Sequence, residues 1–145
     1  MPGSGLSLRI MENNLPLVSI IVVNFNGEKF LKGCFESLLS LNYPKDLFEI
    51  IMVDNDSSDS SVEFAKKHFP TVKIVVNDEN NYSKANNLGI KNSKGEYVAL
   101  LNNDTSVDKN WLIELVRVIS LDSSVGAVGS KILFKDGRIQ SAGHK

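Results

Sequence analysis

In the segment Gly95-Glu96-Tyr97-Val98-Ala99-Leu100-Leu101-Asn102-Asn103-Asp104-Thr105, an apolar run ends abruptly in oxygen-rich side chains. The apolar part is typical of a strand that is buried in a sheet. In parallel α/β sheets, ligands bind outside the carboxyl ends of the strands. Turns also favour Asn and Asp for their own backbone hydrogen bonds, so this stretch alone does not establish a ligand site. Amide and carboxylate oxygens are, however, suitable ligands for Mg²⁺ or Mn²⁺ carrying a diphosphate.

Three further apolar runs end in the same way. The pattern predicts strands over residues 17–23, 48–53, 72–76 and 97–101. Their polar ends are Asn24/Asn26, Asp54/Asn55/Asp56, Asn77/Asp78 and Asn102/Asn103/Asp104. The carboxyl ends of parallel strands meet at one edge of a sheet, so these side chains are expected to lie close together.

Helices are predicted between these strands. Amphipathic spacing indicates helices over residues 30–41, 62–69, 83–92 and 108–121. A fifth strand is predicted near 125–128, followed by a hairpin over 131–139 that turns at Asp136-Gly137. Alternating strands and helices joined by short turns indicate an α/β fold, with a mostly parallel sheet and helices on both faces.

Length and composition limit the domain organisation and the partners. The chain has 145 residues, 42% of them hydrophobic, and a formal net charge of -1, so one domain without an electrostatic case for nucleic-acid binding is expected. Residues 1–16 are interpreted as a flexible leader and 17–145 as the domain. No apolar run is long enough to cross a membrane. Cys34 is the only cysteine, which excludes an internal disulfide and favours a cytoplasmic location, or one at the cytoplasmic face of a membrane.

Several common site types are missing from the sequence. No Gly-x-Gly-x-x-Gly follows the first strand, and neither a P-loop nor a Gly-x-Ser-x-Gly elbow occurs. Two alternatives remain for an acidic edge of an α/β sheet. One is a receiver-like signalling module that binds Mg²⁺ and is phosphorylated on Asp54. The other is a nucleotidyltransferase, although the glycine-rich basic loop typical of that class is absent.

Four motifs carry a resemblance to a known family. They are Val18-Ser19-Ile20-Ile21-Val22-Val23-Asn24-Phe25-Asn26, Ile51-Met52-Val53-Asp54-Asn55-Asp56-Ser57-Ser58-Asp59, Asn86-Asn87-Leu88-Gly89-Ile90 and the stretch 95–105. In this order and spacing they resemble the family 2 glycosyltransferases, enzymes of GT-A fold that use nucleotide-activated sugars. The sequence Leu-Leu-Asn-Asn-Asp-Thr is similar to the rhamnosyltransferase-like branch of cell-surface polysaccharide synthesis. The resemblance covers residues 17–144.

The resemblance implies a nucleotide site and a metal site. The implied nucleotide-binding residues are Val23, Asn24, Phe25, Asp54, Asn55, Lys84 and Asn87. The first three would line the base and ribose pocket mostly through backbone, and Asp54 with Asn55 would hydrogen-bond the base or ribose. Asp104 would be the main ligand of Mg²⁺ or Mn²⁺ in the family's Asp-x-Asp motif. Asn102 replaces the first Asp of that motif, and Asn103 would contribute through a water.

The resemblance also implies the reaction and the partners. An inverting enzyme would move the sugar of a nucleotide-diphosphate donor to a hydroxyl of a carbohydrate or lipid-linked acceptor. The family's general base comes from a later segment, so no catalytic residue is assigned in this chain and the base is expected beyond Lys145. The chain would then be the donor-binding portion of the enzyme, with a sheet truncated on its C-terminal side. Because unpaired strand edges invite partners, a homodimer through the exposed sheet edge is predicted.

Overall fold

The protein is described by a computed structural model covering residues 14–142. Most of the leader predicted over 1–16, and the last three residues of the predicted domain, lie outside these residues. The strands are β1 (Val18–Asn24), β2 (Phe48–Asn55), β3 (Lys73–Asn77), β4 (Tyr97–Asn102), β5 (Ile132–Leu133) and β6 (Ile139–Ser141). The helices are α1 (Glu28–Leu39), α2 (Ser61–His68), α3 (Tyr82–Lys91) and α4 (Trp111–Ile119).

The four longer strands form one parallel sheet in the order β3-β2-β1-β4. β1 lies in the interior of the sheet and all seven of its residues are buried. Such a strand requires the continuous β-branched apolar run seen in the sequence, because neither of its faces meets water. β5 and β6 form a separate antiparallel hairpin, which confirms the hairpin predicted around Asp136-Gly137. Gly137 has a φ of 84°, the left-handed conformation that such a turn uses.

The core lies on both faces of the sheet. On one face Ile20 and Val22 pack in a cluster with Phe35 of α1 and Leu112 of α4. On the other face Ile21 and Val23 pack in a smaller cluster with Ala85 of α3. The predicted α/β fold with helices on both faces is therefore confirmed.

The region after α4 differs from the sequence prediction. Residues 125–128 form no strand, so the predicted fifth strand is wrong. Gly126 and Gly129 flank the pair Ala127-Val128, and no heavy atom lies within 4 Å of a Cβ added at either glycine. A segment that meets no neighbouring strand gains neither ladder hydrogen bonds nor packing, and interior glycines weaken it further. The predicted helix over 108–121 is also shorter, at Trp111–Ile119.

Between residues 14 and 142, none of the helices is both long and apolar enough to span a membrane.

Candidate functional site

The parallel register brings the polar strand ends together. Asn24 at the end of β1 is paired with Asp54 of β2, and Val23 is paired with Asn102 of β4. On the far side of β2, Asn55 is paired with Asn77 of β3. The polar ends of all four strands thus line one edge of the sheet, as the sequence predicted.

Asn24 forms the centre of this edge and is fully buried. Its Nδ2 donates to Asp54 Oδ1 and to Ser57 Oγ, each at 3.2 Å. Its Oδ1 accepts from Asn103 Nδ2 at 2.8 Å. The Asn24 side chain therefore joins the end of β2 to the loop after β4 and is not available to a ligand.

Gly27 makes room for the contact between Asn103 and Asn24. A Cβ at Gly27 would lie 2.0 Å from Asn103 Nδ2 and 2.5 Å from Asn24 Oδ1. Both distances are well below van der Waals contact, so any other residue would force the two amides apart. The requirement for glycine at this position is one of space.

Asp54 is almost wholly buried, at 3% exposure. Besides the bond from Asn24, its Oδ2 accepts from the backbone N–H of Ser57 at 3.2 Å. A carboxylate has about four lone-pair sites, so Asp54 retains acceptor capacity for a ligand N–H or O–H that reaches the strand end. These donors hold the carboxylate in a fixed orientation.

The Asn55 side chain stabilises the loop between β3 and α3. Its Oδ1 accepts from Asn77 Nδ2 at 2.8 Å and from the backbone N–H of Asn81 at 3.1 Å, and its Nδ2 donates to Asn80 Oδ1 at 2.9 Å. The Asn55 side chain is 2% exposed. Its side-chain groups are thus used within the protein, and its predicted contact with the base remains a prediction.

Asn26 joins the loops that follow β1 and β2. It has a φ of 48°, a conformation that Asn tolerates better than most residues. Its Oδ1 accepts from the backbone N–H groups of Ser58 at 2.8 Å and Asp59 at 3.2 Å, and its own N–H donates to Ser57 Oγ at 2.9 Å. Phe25, which precedes it, is 45% exposed beside these loops. The two loops therefore form one rigid wall with an accessible aromatic ring.

Asp59 continues this wall to the start of α1. Its Oδ2 accepts from the backbone N–H of Glu28 at 3.1 Å, and its Oδ1 accepts from the N–H and hydroxyl of Ser61. Burial opposes the charged form, but these hydrogen bonds together outweigh it and lower the pKa of Asp59 below its usual value. The carboxylate thus fixes the amino-terminal ends of α1 and α2.

Lys84 and Asn87 lie on α3 and line a shallow groove of about 420 Å³ with Asn81 and Leu88. Lys84 Nζ lies 2.9 Å from Asp78 Oδ1 and 3.4 Å from Glu79 Oε1. The hydrogen bond to Asp78 raises the pKa of Lys84 and lowers that of Asp78. Since these groups are exposed, the ion pairs are weak, and Lys84 can leave them to bind an anion of higher charge.

The three predicted metal residues lie at the end of β4, which closes with Asn102, and in the loop that follows it. Asp104 is exposed, and Asn102 Oδ1 accepts from Tyr82 Oη of α3 at 3.2 Å. Because Asn103 uses its Nδ2 for Asn24, only its Oδ1 remains for a metal-bound water. Nowhere in residues 14–142 do three His, Cys, Asp or Glu side chains cluster to cage a metal.

This donor set fits a divalent cation that is shared with a ligand. Mg²⁺ keeps several waters and is commonly held by one or two carboxylates together with substrate phosphates. Asp104 supplies one carboxylate, and the neighbouring amides supply neutral oxygens. Mg²⁺ or Mn²⁺ bound to a diphosphate matches this arrangement better than a cation held by protein alone.

Cys34 lies under the same loop, with its Sγ 4.0 Å from the Asn102 carbonyl oxygen. Burial, with a smaller contribution from the negative charge of Asp104, raises the pKa of the thiol to about 12. A thiol that stays protonated is a poor nucleophile. Cys34 is therefore part of the core.

The links between strand ends were not predicted from the sequence. The chain Asn103–Asn24–Asp54 and the Asn26 contacts join residues that are 30 to 79 positions apart. Turn propensity explains an Asn at each position equally well. Only the observed strand order, with β1 between β2 and β4, shows that these amides meet.

Solved structures with the same architecture define the class of the fold. TarS 1-349 of S. aureus in complex with UDP-GlcNAc is 27% identical, with a TM-score of 0.66, over 72% of this chain and 31% of that one. The mannosyltransferase PcManGT of Pyrobaculum calidifontis, solved with GDP-Man and Mn²⁺, is 23% identical with a TM-score of 0.71 over 79% of this chain and 35% of that one. These similarities confirm the predicted GT-A fold.

The chain belongs to glycosyl transferase family 2, whose family model matches residues 19–145. The glycosyltransferase AglE of Haloferax volcanii is 34% identical over 128 residues, which are 86% of this chain and 42% of AglE. The chain thus spans less than half the length of the relatives described here. Membership confirms the predicted family and favours the glycosyltransferase interpretation over the receiver and nucleotidyltransferase alternatives.

Proposed function

We propose that the chain binds the nucleotide-diphosphate sugar donor of an inverting glycosyltransferase. The observation that supports this most strongly is that Asp54 and Asp104 follow adjacent strand ends at one edge of the sheet, where Asn24 joins Asp54 to Asn103, the residue before Asp104. The Asp54 carboxylate lies buried at the end of β2, beside the loops that follow β1 and β2, where a base or ribose donor group would bind. The other lies exposed on a loop, where a cation and a diphosphate would bind.

The side chains around these two carboxylates have distinct proposed roles. The Asp54 carboxylate accepts a hydrogen bond from the base or ribose, with Val23, Asn24 and Asn55 shaping that end of the pocket. Phe25 offers an apolar ring against the nucleoside. Stacking on an exposed aromatic ring depends little on the identity of the base, so Asp54 is the residue that gives selectivity between nucleosides.

The diphosphate end is assigned to α3 and to the loop after β4. Lys84 leaves Asp78 for a phosphate, and Asn87 donates from the same helix face. Asp104 would hold Mg²⁺ or Mn²⁺, with Asn102 contributing an oxygen and Asn103 contributing through a water. A bound cation neutralises the charge that develops on the departing nucleotide diphosphate.

The reaction is a direct displacement of the nucleotide by an acceptor hydroxyl, which inverts the anomeric carbon. The acceptor is a carbohydrate or a lipid-linked glycan of cell-surface polysaccharide synthesis. A neutral hydroxyl needs a general base, and proton abstraction by a positioned base is worth about 10²- to 10⁴-fold. No residue between 14 and 142 is assigned this role, so the proposal for these residues is donor binding.

Substitution of Asp54 tests the nucleoside end. Calorimetric titration with UDP, dTDP, GDP and CDP should find one nucleotide that binds, and Asp54→Asn should weaken that nucleotide about tenfold or more, since a hydrogen bond to a charged group is worth about 1.5–3 kcal/mol. Asp56→Asn is the matched control, because Asp56 is exposed and has a φ of 67°, which Asn also adopts. Equal affinity of the Asp54→Asn variant would contradict the assignment.

A further inference from the structure

The hydrogen bonds through Asn24 have a direction that the chemistry fixes. As a carboxylate, Asp54 only accepts, so Asn24 must present Nδ2 to it. Asn24 Oδ1 then faces Asn103, which must present its own Nδ2. The order of donors, Asn103 to Asn24 to Asp54, is thus set by the charge on Asp54 and agrees with the observed contacts at 2.8 and 3.2 Å.

We propose that Asn24 is a positioning residue that couples the metal end of the donor site to its nucleoside end. This inference rests on the proposed function. Reorienting Asn103 removes the acceptor bond of a fully buried amide, and that amide can no longer hold Asp54 in the same orientation. A cation that fixes the positions of Asp104 and its neighbour Asn103 therefore also fixes the orientation of the Asp54 carboxylate, which binds the nucleoside.

Burial makes this coupling strong. All buried side-chain nitrogen and oxygen atoms in residues 14–142 have a hydrogen-bond partner. A buried amide that loses a partner has no water to replace it, so the alternatives to the observed arrangement are unfavourable. Packed groups that switch between two discrete arrangements, instead of shifting gradually, can couple binding at one site to binding at another.

A substitution at Gly27 would disrupt the hydrogen bonds between Asn103, Asn24 and Asp54 without changing any of these three residues. In Gly27→Ala the new Cβ would meet Asn103 Nδ2 and Asn24 Oδ1 at 2.0 and 2.5 Å, so Asn103 must leave. Gly33→Ala on α1 is the matched control, since the nearest heavy atom to its added Cβ is Ser106 Oγ at 3.7 Å.

The experiment measures nucleotide affinity with and without Mn²⁺ for the unmodified chain, Gly27→Ala, Asn103→Ala and the double variant. We expect Mn²⁺ to tighten binding to the unmodified chain by a factor within the usual range for coupled sites, about 5- to 150-fold. Gly27→Ala and Asn103→Ala should each reduce that factor to about twofold or less. In the double variant, the factor by which Mn²⁺ tightens binding should fall no further than in either single variant, because both substitutions act through the same contact.

Affinity without metal separates positioning from metal ligation. If Asn103 acts only as a metal ligand, Asn103→Ala leaves the metal-free affinity unchanged. If it acts through Asn24 on Asp54, metal-free binding weakens as well, by about threefold or more. Thermal unfolding without ligand, compared with Gly33→Ala, shows whether each variant is folded, and Asn103→Ala removes only a half-buried loop side chain.

The outcomes distinguish this inference from the proposed function. If the unmodified chain binds none of the four nucleotides, the proposed function fails. If it binds one with Mn²⁺ dependence, and folded Gly27→Ala and Asn103→Ala keep both the Mn²⁺ factor and the metal-free affinity, only the coupling through Asn24 is overturned.

Discussion

At the scale of single residues, burial decides which polar groups serve the fold and which can serve a ligand. Asn24 and Asn55 are at most 2% exposed, and their side chains are engaged within the protein. Asp54 is 3% exposed but retains free lone pairs on its carboxylate, and Asp104 is exposed. The sequence motifs assign a ligand-binding role to all four residues. The structure distinguishes the two that stabilise the site from the two that are able to bind a ligand.

Cys34 offers a residue-scale prediction. Because burial raises the pKa of its thiol from 9.0 to about 12, about a thousandfold less thiolate is present at pH 8 in the folded than in the unfolded state. Alkylation by iodoacetamide at pH 8 should therefore be far slower in buffer than in urea. The raised pKa stabilises the fold fully below pH 9, and this contribution is lost as pH rises from about 9 towards 12.

An exposed thiol on the same helix is the control for that measurement. Lys32→Cys in a Cys34→Ser background places the only thiol on the exposed side of α1, where it should react at similar rates in buffer and in urea. Equal rates for Cys34 in the two conditions would show that the thiol is not buried.

At the scale of elements, α3 is held against the sheet by a close approach at Gly89. A Cβ there would lie 2.6 Å from Ile21 Cγ2 and 3.1 Å from Val53 Cγ2. Gly89→Ala should lower the free energy of unfolding in urea, because overpacking costs about 1–3 kcal/mol and exceeds the gain in helix propensity of about 1 kcal/mol.

The same variant should weaken nucleotide binding, since Lys84 and Asn87 are on the helix that is displaced. Gly33→Ala again serves as the control, and there the gain in helix propensity should leave stability unchanged or slightly higher. Undiminished stability of Gly89→Ala would mean that α3 can shift away from Ile21 without loss of packing.

Elements were more predictable from the sequence than the contacts between them. β1, β2 and β4 were found to within two residues, because continuous apolar runs are typical of parallel strands. β1 and β2 are buried as expected, whereas the expectation of burial is wrong for β4, an edge strand whose residues are alternately half-buried and exposed. The strand near 125–128 was wrong because its apolar residues lack a neighbouring strand, which a local pattern cannot reveal. The amide chain through Asn24 was missed for the same reason, since it depends on which strands are adjacent.

At the scale of the whole molecule, β4 is an edge of the described sheet with one apolar face uncovered. Val98 and Leu100 are 39% and 52% exposed, while the alternate residues of the strand are half-buried. An unpaired apolar edge is a template for another strand, and we therefore predict that two copies of this chain pair through β4. Light scattering should show a dimer that Leu100→Lys converts to a monomer.

Val76→Lys on the opposite edge strand is the control for that variant. Val76 is 64% exposed, but β3 begins with Lys73, and charged residues are a common protection of edges. This substitution should leave the dimer intact. A clean monomer of the unmodified chain at high concentration would contradict the prediction.

The proposed site binds a nucleotide diphosphate together with a cation held by Asp104. It is tested most directly by thermal unfolding with UDP, dTDP, GDP or CDP, each with and without Mn²⁺, for the unmodified chain and for Asp104→Ala, with exposed Asp122→Ala as the control for charge. Ligand at a hundred times its Kd adds about 2.7 kcal/mol, which for a chain of this size raises Tm by about 5–10 °C. We predict such a rise with one nucleotide in the presence of Mn²⁺, retained in Asp122→Ala and lost in Asp104→Ala. No rise with any nucleotide, or an equal rise in Asp104→Ala, would contradict the account.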